Sequence, residues 1–141
     1  MYYAQKPNGG VWSGSVVSPD FAGGYTNLKL NSQNRPAVLY RKVQTNSTYG
    51  NQTYVELAQL EASGLWSREW MAGHYGADGS IYTYTHLGLQ FDSTGAPQVA
   101  YHFSRGAYSG DPALSAIRLH SVTGGSGSTS SSSSSTSSSS T

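Results

Sequence analysis

Three short blocks of this sequence recur in the same order farther along the chain, and that recurrence limits the fold more than any single motif does. Ala4, Gln5, Gly10, Trp12 and Ser13 match Ala58, Gln59, Gly64, Trp66 and Ser67 without a gap, at a shift of 54 residues. Tyr25, Thr26, Leu28 and Leu30 match Tyr84, Thr85, Leu87 and Leu89 at a shift of 59. Pro36, Val38 and Tyr40 match Pro97, Val99 and Tyr101 at a shift of 61. The growing offset places small insertions between the matched segments. The body of the chain therefore reads as two related units, about residues 2–57 and 58–121.

Each block alternates apolar and polar residues with the period of a strand, and none shows a helical period. Leu28 and Leu30 share one face, with Asn27 and Lys29 on the other; Leu87, Leu89 and Phe91 share a face opposite His86, Gly88 and Gln90. Residues 31–35 and 92–96 carry turn chemistry, and the Pro that follows each suits the first position of a strand, where its missing N–H is tolerated. Further strands are expected around residues 11–18, 53–62, 65–72 and 114–121. The fold class is all-β.

The Gly-x-Trp-Ser strand, the Tyr-Thr-x-Leu-x-Leu strand and the Pro-x-Val-x-Tyr strand, in that order, resemble the β-propeller repeats of secreted, mostly bacterial, proteins. That resemblance implies two four-stranded antiparallel blade-like sheets. It also implies a chain that starts inside one blade at Tyr2, completes a second and stops after the third strand of the next. Trp12, Trp66, Tyr40 and Tyr101 are then the residues expected to pack between blades. Two blades are too few to close a propeller, which typically needs four to eight. The sheets are expected to stay open, to be completed by oligomerisation, or to collapse into a β-sandwich. Residues 11–18 offer a fourth strand for the sheet made by residues 84–121.

Residues 123–141 contain only Ser, Thr and Gly, which leaves a β-repeat domain of residues 1–122 and a low-complexity tail. Charged residues make up 11% of the chain and the formal net charge is +1, so no basic patch argues for nucleic acid. No run of 18 apolar residues offers a spanning helix, and membrane insertion is not expected. Cys is absent, which removes disulfides, thiol chemistry and zinc–thiolate sites. The richness in Tyr, Thr, Ser, Asn and Gly suggests an extracellular or cell-surface setting.

Catalysis finds no support in the residues. The seven acids form no spacing that argues for a general acid and base, and no Gly-x-Ser-x-Gly elbow precedes a helix. His86, His102 and His120 fall on three expected strands and are candidates for one shared face, but the first unit has no counterpart set, and structural or surface histidines are expected rather than a metal site. No cofactor is expected. Aromatic rings can stack on sugars, and Trp70, His74, Tyr75 and Tyr82, which lie in or near the longer second connection, are the candidate contacts for a sugar or a partner. Asn46 and Asn51 begin two N-glycosylation sequons in a polar stretch that reads as a loop. Thr129, Ser130, Ser131, Thr136 and Thr141 are candidate O-glycosylation positions in the tail.

The function expected from these readings is a non-enzymatic structural module that associates with copies of itself through sheet edges and faces, as a filament or ring, with a glycosylated tail. The alternative is a carbohydrate-binding, lectin-like propeller module.

Overall fold

A computed structural model of the chain describes residues 1–19, 24–46, 50–73, 82–105 and 114–121. Among the described residues there are nine strands and no helix: β1 (Tyr2–Gln5), β2 (Ser13–Val16), β3 (Thr26–Leu30), β4 (Pro36–Asn46), β5 (Gly50–Leu60), β6 (Trp66–Gly73), β7 (Tyr82–Phe91), β8 (Pro97–Arg105) and β9 (Leu114–Ser121). They form three open antiparallel sheets in chain order, of strands β1-β2, β3-β4-β5-β6 and β7-β8-β9.

Three hairpins close with the same turn. The N–H of Asn34 bonds to the carbonyl of Asn31, Gly64 to Glu61 and Gly95 to Asp92, and in each the next residue's carbonyl accepts from the first residue's N–H. Asn34, Gly64 and Gly95 all have positive φ, between 57° and 85°. This is the three-residue hairpin loop whose last residue must enter the left-handed region, which explains Gly at two of these positions and Asn at the third. The Asn31 and Asp92 side chains each accept two backbone N–H bonds across their turns.

The two central strands of the middle sheet, β4 and β5, are buried on both faces. Ala37, Leu39, Val55 and Leu57 point toward the third sheet and pack on Tyr84, Leu87, Leu89, Val99 and Tyr101. Val38, Tyr40 and Ala58 point the other way, onto Val17 with Met1 and Tyr3 of the first sheet and its flanks. The continuous run Ala37, Val38, Leu39 and Tyr40 is thereby explained: a strand covered on both faces needs apolar residues at successive positions. Trp66 joins the first and second sheets, donating its Nε1–H to Ser15 Oγ at 2.8 Å and standing edge-on to Tyr3 at 5.5 Å.

Three expectations need correction. The structure has one four-stranded sheet, not two, flanked by sheets of two and three strands. Within the chain, strand β2 does not complete the third sheet; it pairs with β1, because a short hairpin closes at less entropic cost than a contact across the chain. Asn46 and Asn51 do not sit in a long loop but in the ladder between β4 and β5, where Asn46 pairs with Gly50 and Thr45 with Asn51. Thr45 and Thr53 continue the alternation of Val43 and Val55, so the strands run on through the polar stretch.

Candidate functional site

Strand pairing allows position-by-position comparison of the sheets. Tyr3 opposite Ser15 and Ala4 opposite Gly14 in the first sheet become Leu57 opposite Glu69 and Ala58 opposite Arg68 in the second, at a constant shift of 54. From the second sheet to the third, Leu39 opposite Leu57 becomes Ala100 opposite Leu119, and Arg41 opposite Val55 becomes His102 opposite Ile117. The same contact is thus made twice. Met1, Tyr3 and Val17 meet the second sheet from the positions at which Val55, Leu57 and Met71 meet the third.

Among the described residues, no strand covers the equivalent positions on the third sheet. Val55 and Leu57 are 0% and 1% exposed, whereas Ile117 and Leu119 are 71% and 66% exposed. The first sheet is open on its far side. Trp66 is half-buried, but its counterpart Trp12, which precedes β2, is 70% exposed, and Tyr2, opposite Val16 at the other end of the hairpin, is 78% exposed. These two uncovered faces, at opposite ends of the stack, are the candidate functional surfaces. Leu28 and Leu30 on β3 are also half-exposed, since the two-stranded first sheet does not reach over them.

Several polar side chains inside the stack pair with one another, although Ser18 Oγ and Gln52 Nε2 are buried with no hydrogen-bond partner among the described residues. Tyr40 donates its hydroxyl to Glu56 Oε2 at 2.6 Å, and Lys42 Nζ lies 3.3 Å from Glu56 Oε1. At the equivalent positions of the third sheet stand Tyr101, Arg118 and Phe103; there the Arg118 guanidinium lies 4.7 Å from the centre of the Phe103 ring, and Tyr101 turns to His120. An ion pair has been exchanged for a cation–π contact at the same register.

The histidines do not share a face. His86 and His102 lie together on the outer side of the third sheet, ring centres 6.0 Å apart, both bonded to Thr85 Oγ1, and His102 also to Ser115 Oγ. His86 adopts a positive φ of 52° where the β7–β8 register shifts, between Thr85 and Gly88. His120 is on the inner side, stacked on Tyr101 with its Nε2 2.9 Å from the Tyr101 hydroxyl. Among the described residues no group of three metal-ligating side chains forms.

Burial, with a smaller contribution from Arg118, holds the His120 pKa below its usual value, so the folded chain favours the neutral ring, whose Nε2 shares a hydrogen bond with the Tyr101 hydroxyl. The unfolded chain takes up a proton below about pH 6.5 before the folded chain does. Stability from this group is therefore full above that pH and is lost as pH falls through the depressed folded value. Melting temperatures measured at about pH 7.5 and pH 5 are expected to fall with pH, and by less in His120→Gln; equal slopes in the two proteins would refute the assignment.

Of the candidate sugar contacts, Trp70 lies on β6, half-exposed and edge-on to the buried Tyr54 at 5.9 Å. Tyr82 opens β7 opposite Arg105. His74 and Tyr75 lie outside the described residues, as do Thr129, Ser130, Ser131, Thr136 and Thr141. Tyr40 and Tyr101 are fully buried between sheets. The uncovered Ile117 and Leu119 were not singled out in the sequence; their alternation with Arg118 and His120 marks a strand but does not say that its apolar side is open. No family model, curated protein or solved structure matches the chain.

Proposed function

We propose that this chain is a non-enzymatic structural module of the extracellular space or cell surface, whose propeller-like sheets associate with those of other copies into a filament or ring. The Ser/Thr tail would carry O-linked glycans or connect subunits. The observation that carries this reading is the contrast between Val55 and Leu57, sealed by the next sheet, and Ile117 and Leu119, at the same register with no sheet over them. A face of that kind favours covering, because each large apolar side chain removed from water contributes roughly 1.5–3 kcal/mol before the entropy of association is subtracted. Ile117 and Leu119 are apolar, with His86, His102 and Ser115 beside them on the same face, and the net charge is only +1, so association at neutral pH should depend little on salt.

Light scattering after size exclusion at tens of micromolar, a range chosen by ordinary interface affinities, is expected to give a particle several times the 15.0 kDa chain mass. Raising the salt to about 1 M should leave that particle intact. A stable 15.0 kDa monomer under these conditions would sink the proposal.

A further inference from the structure

Resting on that self-association reading, the geometry points to a particular mode of docking: the outer face of the third sheet, at Ile117 and Leu119, seats on the outer face of the first sheet of a second copy, at Tyr2 and Trp12. The contact repeats between chains what already joins the sheets within one chain. Inside the chain, Trp66 stands against Tyr3. Trp12 directly precedes β2, and the sequence match at a shift of 54, carried by the equivalent pairs Gln5–Ser13 and Gln59–Ser67, makes it the counterpart of Trp66. Strand pairing makes Leu119 the counterpart of Leu57 and hence of Tyr3. Setting Trp12 of one copy against Leu119 of another therefore reproduces the Trp66–Tyr3 ring contact with a Leu in place of the Tyr, while the Ser15 acceptor of Trp66, on β2, has no counterpart among the described strands of the third sheet.

Continuity with the internal interface selects a second copy as the occupant. The two faces are offered in the same sense along the stack: what projects forward from the first and second sheets is received by the backward side of the sheet that follows. The third sheet projects Ile117 and Leu119 forward, 71% and 66% exposed with no described strand over them, and Tyr2 on the first sheet and Trp12 at its flank are uncovered. Both ends keep large apolar residues at positions where an isolated stack would be served by polar ones. Because the two faces differ, the contact is heterologous, and each copy donates one face and receives on the other. The result is head-to-tail growth, closing into a ring or continuing as a filament according to the rotation per copy.

Two single variants of the full chain, Trp12→Glu and Leu119→Arg, separate this docking from other modes of association. Both positions are well exposed, so each variant is expected to keep the wild-type melting temperature when dilute. Each alone should lose the assembled particle at concentrations where the wild type forms it. Mixed in equal amounts, they should recover one species of twice the chain mass, since the intact Leu119 face of one meets the intact Trp12 face of the other.

If the wild type assembles and either variant assembles equally well, or the mixture stays monomeric, the docking is overturned while self-association stands. If the wild type is itself monomeric, both fall. Should either variant melt early, Trp12→Ala and Leu119→Ala replace the pair, with the same expected loss and the same recovery on mixing.

Discussion

Leu57→Ala should lower the stability of the chain by about 2–5 kcal/mol, the usual cost of a cavity left by a buried Leu. The same change at Leu119 should cost no more than about 0.5 kcal/mol in dilute monomer. The two residues hold equivalent positions in consecutive sheets, Leu57 opposite Leu39 and Leu119 opposite Ala100. What separates them is cover: Leu57 is 1% exposed and Leu119 is 66% exposed. Urea denaturation at low micromolar concentration measures both, and in a domain of this size each kcal/mol should move the melting point by about 4–8 °C. Repeated at a concentration where the chain assembles, the experiment should show a cost for Leu119→Ala that was absent before, because docking would then bury that side chain. If Leu119→Ala costs as much as Leu57→Ala in the dilute monomer, the outer face is sealed within the chain and the equivalence of the sheets gives no basis for assembly.

The strands and turns were legible because their chemistry is local. Asn31 and Asp92 bond their own turns, and Asn34, Gly64 and Gly95 occupy left-handed positions that few other residues tolerate. Offsets between strands were less legible. The sequence aligns Leu28 and Leu30 with Leu87 and Leu89, but both ends of the hairpin are displaced by 61 residues, Leu30 to Phe91 and Pro36 to Pro97. Leu28 and Leu30 therefore correspond to Leu89 and Phe91. A slip of two residues keeps every side chain on its face, so alternation cannot detect it. The irregularity at His86, inside β7, is what lets the matched Tyr-Thr pair drift from its structural counterpart.

Exposure was not legible at all. Trp12 and Trp66 match in sequence, yet one, just ahead of β2, stands in water and the other, on β6, against Tyr3 and Ser15. Residue type records what a position can bury, whereas the neighbouring sheet decides whether it does. The exchange of Glu56 and Lys42 for Arg118 and Phe103 hid the relation of β5 to β9 for a similar reason. Both pairs satisfy the same geometry with unrelated side chains, and only the strand pairing shows that they correspond.

Glu56→Ala is expected to cost about 2–4 kcal/mol, well above the roughly 0.5–1 kcal/mol expected for Arg118→Ala at the matching position. The Glu56 carboxylate accepts from the Tyr40 hydroxyl and faces Lys42, and these two side chains of Glu56 and Lys42 are only 16% and 12% exposed. Removing the carboxylate deprives the buried Tyr40 hydroxyl of this acceptor, where water cannot fully replace it. Glu56→Gln keeps an acceptor for Tyr40 while losing the charge opposite Lys42, so its cost should fall between wild type and Glu56→Ala. Burial and the adjacent carboxylate both hold the Tyr40 pKa well above the ordinary tyrosine value. Above about pH 10 the unfolded chain therefore releases this proton while the folded chain retains it, and stability falls as pH rises. Urea midpoints at neutral pH rank the three proteins, and a series toward alkaline pH follows the loss. A Tyr40→Phe chain should show a shallower alkaline decline, and Glu56→Ala in that background should cost less than in the wild type. Full additivity of the two changes would mean that Tyr40 and Glu56 stabilise the stack independently, contrary to the hydrogen bond that joins them.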